Sequence, residues 1–187
     1  ATQGLYPIGT AMLPLMRAEF GDAQPTDSEL KKYYHKLGLY QAPSINMPSA
    51  FDAENSPPKE LKVSPLQAGL AAAILSHQGI EPAPRIAMAV NTPRQGWVVL
   101  PAEKQPVEII QPGAAEQAVL PFIVQGKPYW SRSSKASANN STVTWLLAGT
   151  IPNWGGTPLV LVVTLEENNI FLAETIRNAM LGAALNQ

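Results

Sequence analysis

The stretch LYPIGTAMLPL, residues 5–15, places a hydroxyl side chain at the start of an apolar helical run. A serine or threonine in such a position can attack a carbonyl carbon, provided that a nearby base removes its proton. On a helix the base would come from the next turn, because side chains three positions apart are neighbours. Here that position holds Leu13, which neither accepts nor donates a proton. The pattern predicts that Thr10 has no base on its own helix and favours a role for Thr10 as helix N-cap.

The composition excludes several kinds of chemistry. The 187 residues contain no cysteine, which excludes thiol catalysis, disulfide bonds and cysteine-bound zinc. Because the chain has only two histidines, His35 and His77, we expect no histidine metal centre. The sequence has no Gly-rich phosphate loop and no dinucleotide fingerprint, and we expect no cofactor. A net charge of −1 and scattered cations give no electrostatic support for a nucleic-acid partner. The sequence has no apolar run of about 18 residues or more, so we predict no membrane span in this chain.

Short helices are expected to position these residues, because eighteen prolines and thirteen glycines interrupt the sequence. The first helix is predicted over residues 10–20. The second is predicted over residues 28–39, with Asp27 or Ser28 as its N-cap. The third follows Ser64 as N-cap, with Pro65 at its first position and Gly79 just past its end.

The second half of the chain alternates between predicted strands and helices. A hairpin turns at residues 91–96, a helix covers 112–124, and a polar stretch covers 131–141. Two apolar strands and a final amphipathic helix follow, over residues 142–152, 158–167 and 169–185. Helices come first and strand pairs later, which predicts an α+β fold with an antiparallel sheet flanked by helices. We expect residues 1–187 to form a single domain.

Three tryptophans and two sequons allow alternative interpretations. Trp130, Trp145 and Trp154 could line a glycan-binding face, but packing at the sheet is favoured, because large aromatic side chains dominate protein cores. Sequons at Asn139 and Asn140 are short patterns that carry meaning only in a glycosylating host.

Four segments of the chain occur in the order of one family's motifs. Residues 5–15 are similar to a YPPGS-x-x-KP segment, with Thr10 in the serine position and Leu13 in the lysine position. Residues 31–48, 63–90 and 144–167 are similar to the helix, buried helix and closing strands that follow in that family. Together these segments resemble the transpeptidase domain of penicillin-binding proteins, the serine acyl-enzyme fold shared with β-lactamases and D,D-peptidases.

The resemblance also identifies where this chain departs from the family's pattern. The family's S-x-N motif has no counterpart in residues 14–30, which are too few to build its helical region. The K-[ST]-G-T-A strand motif is best matched by RSSKA, residues 132–136. This match implies ligand-binding positions at Arg132, Ser133 and Ser134, with a serine in place of the glycine. Thr10 and Leu13 then occupy the catalytic positions as vestigial residues.

What the resemblance implies is a reduced, catalytically degenerate domain, with an interaction or scaffolding role in the cell wall and weak recognition of peptidoglycan or β-lactams. We expect an extracytoplasmic location, partners among cell-wall components, and a chain that is the C-terminal part of a longer protein. The alternative is an active D,D-peptidase or β-lactam-reactive acyl-enzyme that uses Thr10 or Ser133, with Lys135 as a displaced base whose pKa burial would lower.

Overall fold

The computed structural model describes residues 3–45, 47–53, 56–101, 104–138 and 141–185. Their helices are α1 Leu13–Phe20, α2 Asp27–Lys36, α3 Pro65–Ser76, α4 Pro112–Val119 and α5 Ile170–Leu185. Their strands are β1 Tyr6–Pro7, β2 Lys62–Val63, β3 Ile80–Glu81, β4 Ala89–Thr92, β5 Gly96–Val99, β6 Val107–Glu108, β7 Tyr129–Ala138, β8 Ser141–Thr150 and β9 Val160–Leu165. The sequons at Asn139 and Asn140 lie outside the described residues.

The main sheet is antiparallel, with the strand order β7-β8-β9. One face packs against a core that includes α1, α3 and α4, and α5 packs against the other face. Trp130 and Trp145 are fully buried on the first face, so their predicted packing role is confirmed. The predicted α+β class with an antiparallel sheet and flanking helices is confirmed as well.

Helix α3 forms as predicted from its termini. Ser64 accepts a hydrogen bond from the backbone N–H of Gln67, whose side chain accepts one from the Ser64 N–H. This reciprocal pair is a capping box, and it satisfies two donors that a buried helix end would otherwise leave unpaired. At the other end Gly79 has φ of +87°, a left-handed conformation that glycine adopts without strain.

Two predicted N-caps are wrong. Helix α1 begins at Leu13 behind Met12, so Thr10 lies in the preceding turn and its side chain caps nothing. Helix α2 is capped by Thr26 and not by Asp27 or Ser28, because Glu29 stands three residues after Thr26 and completes a capping box with it.

The polar stretch over residues 131–141 is also different from the prediction. Most of it belongs to β7, which pairs with β8 over the whole length of both strands. The hairpin is confirmed as β4 and β5, and the apolar strands are confirmed as β8 and β9. Within the described ranges, no helix has the length and apolar character needed to cross a bilayer.

We predict that the protein loses stability at alkaline pH because of two buried tyrosines of α2. Burial raises the pKa of Tyr34 to about 12 and also raises the pKa of Tyr33, whose hydroxyl donates to the Leu15 carbonyl oxygen at 2.8 Å. Below the unfolded value of about 10, both phenols are protonated in both states and the stabilisation is complete. As the pH rises above about 10, the unfolded chain loses these protons before the folded protein does. The free energy of unfolding therefore falls between about pH 10 and the raised pKa values of the folded state.

The measurement is urea unfolding between about pH 8 and pH 11, on the wild type and on Tyr33→Phe/Tyr34→Phe. Each tyrosine whose folded pKa lies above the pH contributes a slope of about 1.4 kcal/mol per pH unit above pH 10. The double variant lacks both phenols and is expected to lose less stability across the window. Parallel curves for the two proteins would contradict the prediction, because lysine titration is common to both.

Candidate functional site

The turn that carries Thr10 is held against the sheet. The Ile8 N–H donates to the Leu61 carbonyl oxygen at 3.2 Å, and the Ala11 N–H donates back to the Ile8 carbonyl oxygen at 3.1 Å. Gly9 has φ of +51°, and a Cβ at this residue would lie 2.8 Å from the Cβ of Ala136. The backbone therefore approaches β7 at a distance that only glycine permits, and it leaves the Thr10 side chain exposed.

Strand β7 presents two sets of side chains, one on each face. Trp130 and Arg132 reach the side of α1 and α3, where the Trp130 Nε1–H donates to the Ser76 Oγ at 3.1 Å. Ser131 and Ser133 reach the side of α5. Ser133 donates to the Glu174 Oε1 at 3.2 Å, and Ser131 accepts from Arg177 at 3.0 Å. This alternation is the period of two that a strand imposes.

Arg132 and Thr10 are brought together by this arrangement. The Arg132 Nη2 donates to the Thr10 Oγ1 at 3.5 Å, a long hydrogen bond across 122 residues of sequence. The guanidinium also lies 5.9 Å from the centre of the Phe122 ring, within the range of a cation–π contact. The Arg132 Nε is buried and has no partner among the described residues. The cation is thus positioned by an aromatic ring and a hydroxyl, and no carboxylate of the described residues pairs with it.

Of the three predicted ligand-binding residues, two share the face that carries Thr10. Ser134 is two positions from Arg132 and lies on the same side of the strand. It is 5% exposed, and its Oγ has no hydrogen-bond partner in the part of the chain that the structure describes. Ser133 lies on the opposite face, where it is bonded to Glu174, so it is separated from Thr10 by the sheet.

In the part of the chain that the structure describes, no side chain that can take up a proton is hydrogen-bonded to Thr10. Among the described residues, Arg132 is the only side chain that hydrogen-bonds to the Thr10 hydroxyl. A guanidinium stays protonated in proteins and cannot act as a base. Leu13 is half-buried and apolar. Lys135 is exposed and in the described part bonds to none of the candidate hydroxyls, contrary to the buried lysine that the alternative requires.

A cleft of about 680 Å³ opens beside β1 and β2, next to the turn that carries Thr10. Its wall includes Pro7 and Ser137, which flank the contact between Gly9 and Ala136. It also includes the charged residues Asp52, Lys59, Glu60 and Lys62. Neither Thr10 nor Arg132 lines it. The described residues contain no group of three or more His, Asp or Glu side chains that could hold a metal ion.

Sequence reasoning missed two residues of this region, Phe122 and Glu174. Phe122 lies in the 3₁₀ turn Leu120–Phe122 and Glu174 lies in α5. Each meets β7 through a tertiary contact that no local pattern encodes. If residues 132 and 133 are assumed to lie on a strand, the sequence does predict that Arg132 and Ser133 point to opposite faces.

The two serines give a matched prediction. Ser134→Ala removes a buried hydroxyl that lacks a partner and is expected to raise the free energy of unfolding by up to about 1 kcal/mol. Ser133→Ala removes the bond to Glu174 and is expected to lower it by about 0.5–1.5 kcal/mol. Urea unfolding of the three proteins measures both changes. Equal effects of the two substitutions would contradict the assignment of these side chains to different environments.

No family model and no curated protein matches the chain. Solved structures do match. Penicillin-binding protein A from Mycobacterium tuberculosis is 16% identical, with a TM-score of 0.76 over 99% of this chain and 63% of that chain. The imipenem acyl-enzyme complex of the same protein matches with a TM-score of 0.72. A peptidoglycan synthetase from Bifidobacterium adolescentis is also 16% identical, with a TM-score of 0.60 over 79% of this chain and 32% of that chain.

These matches span less than two thirds of the length of each of these structures. At such low identity they establish the arrangement of the backbone. They agree with the family order of the sequence segments. The chain has the fold of penicillin-binding-protein transpeptidase domains.

Proposed function

We propose that this chain is a non-catalytic domain of the penicillin-binding-protein type, with an interaction or scaffolding role in the cell wall. The observation that carries the proposal is the environment of Thr10: an exposed hydroxyl whose side-chain partner among the described residues is the permanently protonated Arg132 and whose neighbour across the turn is Leu13. Attack on a carbonyl requires the proton to leave the hydroxyl. General-base assistance is worth a factor of about 10² to 10⁴, and neither neighbour supplies it.

The same environment supports weak binding of an acidic ligand. Arg132 has no carboxylate partner in the described residues, and its guanidinium contacts the exposed hydroxyl of Thr10. A guanidinium pairs well with a carboxylate, because it offers parallel donors to two oxygens. The ligands that fit are the terminal carboxylate of a peptidoglycan stem peptide and the carboxylate of a β-lactam.

A cell-wall role also follows from the relatives. Structures that share the fold are named as penicillin-binding proteins and as a peptidoglycan synthetase. This analogy supports our proposal of a location outside the cytoplasmic membrane, with peptidoglycan or other cell-wall proteins as partners.

The alternative is an active acyl-enzyme that uses Thr10 or Ser133. For Thr10 it requires a base that the described residues do not place at the hydroxyl. For Ser133 it requires substrate to reach the face of β7 that α5 covers, where the hydroxyl already donates to Glu174. The geometry around both hydroxyls favours the non-catalytic proposal.

The test is intact-protein mass spectrometry after incubation with a reactive penicillin, alongside an active transpeptidase and Thr10→Ala. We expect no adduct on the wild type under conditions that fully label the active enzyme. A stoichiometric adduct that disappears in Thr10→Ala would overturn the proposal in favour of the acyl-enzyme.

Ligand recognition is tested separately, by calorimetric titration with a stem peptide ending in D-alanyl-D-alanine. Weak binding is expected, with a loss of about tenfold or more in Arg132→Gln. Arg94→Gln is the control, because Arg94 is exposed in the β4–β5 turn. Equal affinity in the wild type and Arg132→Gln would remove Arg132 from the binding site.

A further inference from the structure

The hairpin formed by β4 and β5 exposes large apolar side chains. Trp97 is 73% exposed, Val99 is 74% exposed and Met88 is 69% exposed. Among the described elements, the two strands make their main contacts with each other. Scattered apolar residues are normal on a surface, but a cluster of this kind on one small element marks an interaction site.

The exposed side chains lie on both faces of the hairpin. The register pairs Asn91 with Trp97 and Ala89 with Val99, so Trp97 and Val99 share one face. Val90 pairs with Val98 on the other face, and Met88 lies there too, because it is two residues before Val90. A protein groove would cover one of these faces and leave the other in water. An environment that surrounds the hairpin on all sides, such as the interface of a lipid bilayer, removes both faces from water.

The charges on the hairpin have one sign. Residues 82–102 include Arg85 and Arg94 and contain no aspartate or glutamate. Both arginines are exposed, Arg94 in the turn between the strands and Arg85 just before β4. Arginine next to exposed apolar residues and tryptophan is the composition that favours the interface of an anionic membrane.

We propose that the β4–β5 hairpin docks into the headgroup region of an anionic lipid bilayer. Each strand has four residues and is about 13 Å long, so the hairpin reaches the interface and does not cross the hydrocarbon. The outer edges of a two-stranded sheet carry unpaired backbone groups, which need water or headgroups as partners. Trp97 and Val99 enter the interface, and Arg85 and Arg94 pair with lipid phosphates.

The test is co-sedimentation of the whole chain with vesicles of phosphatidylglycerol and phosphatidylcholine in equal parts, and with vesicles of phosphatidylcholine alone. We expect binding to the first and little to the second. Arg85→Gln/Arg94→Gln is expected to weaken binding about thirtyfold at low salt, since each basic residue near an anionic surface contributes about a factor of five. Trp97→Ser/Val99→Ser is expected to weaken it at least tenfold and to abolish the lipid-induced blue shift of tryptophan fluorescence.

The matched control is Phe171→Ser, which removes an apolar side chain that is 82% exposed on α5. It is expected to leave vesicle binding unchanged. The proposal is wrong if the wild type does not bind anionic vesicles, or if Phe171→Ser weakens binding as much as the hairpin variant. It is also wrong if analytical ultracentrifugation without lipid shows a dimer that Trp97→Ser/Val99→Ser dissociates, because the hairpin would then pair with a second copy of the chain.

Discussion

The double variant Thr10→Ser/Leu13→Lys is expected to form a covalent adduct with penicillin at least about 10² times faster than the wild type. The serine removes the methyl group that crowds a carbonyl approaching Thr10. The lysine places an amine across one tight turn from the hydroxyl, because the N–H of residue 13 donates to the Thr10 carbonyl oxygen at 3.2 Å and side chains three positions apart in such a turn lie over one another. A base in that position is worth about 10² to 10⁴ in rate. Arg132 beside the hydroxyl disfavours a second cation, and so it favours the neutral amine that can accept the proton.

The measurement is the rate of adduct formation by intact-protein mass spectrometry. Thr10→Ser/Leu13→Met is the matched control, because methionine supplies a similar length without a base. Thr10→Ala/Leu13→Lys tests whether the label is on residue 10. The contrary outcome is a double variant that circular dichroism shows to be folded but that stays unlabelled. In that case a missing base does not explain the inactivity, and the absence of the S-x-N region becomes the stronger explanation.

Gly79→Ala is expected to lower the free energy of unfolding by about 3–5 kcal/mol, from two separate causes. Gly79 has φ of +87°, a conformation that costs alanine about 1–3 kcal/mol. A Cβ at residue 79 would also collide with the carbonyl oxygen of Ile110, which is part of the backbone and cannot easily move aside. The carbonyl oxygen of Gly79 meanwhile accepts hydrogen bonds from the N–H groups of Ile109 and Ile110, so a shift of this turn breaks those bonds.

Two other glycines separate the causes. Gly21 has φ of +62° and open space around its Cβ position, so Gly21→Ala is expected to lose the conformational part alone. Gly113 lies in α4 with nothing close to its Cβ position, and Gly113→Ala is expected to be neutral or stabilising by about 0.4–1 kcal/mol. Urea unfolding of the three variants measures the order of their losses in the free energy of unfolding. Equal losses in Gly79→Ala and Gly21→Ala would show that the contact with Ile110 contributes nothing.

Local signals were sufficient for much of the fold. Ser64 and Pro65 define the start of helix α3, because capping depends on neighbouring residues only. The N-cap of α2 was also encoded locally, since Thr26 and Glu29 have capping-box spacing, but two polar residues between them offered plausible competitors. The start of α1 was harder. The contact between Gly9 and β7 holds the chain in a turn through Met12, and that contact is not local.

Strand β7 shows why the rest was not predictable. Its sequence is polar on both faces, because one face binds Thr10 through Arg132 and the other binds α5 through Ser131 and Ser133. A strand with polar residues on both sides has no apolar alternation to identify it. Pairing with β8 determines its structure. The candidate site is another example. Thr10 and Arg132 were each identifiable from the sequence, but the contact between their side chains depends on the fold.

The two faces of β7 also make its positions separable under mutation. Residues 132 and 134 can change what the Thr10 side recognises while residues 131 and 133 keep α5 attached, because successive side chains of a strand do not share an environment. A library that varies residue 132, and keeps the buried Trp130 and Ala136 of the same face, can therefore sample new ligand preferences without loosening the C-terminal helix. A library at the odd positions samples the docking of that helix on an unchanged binding face.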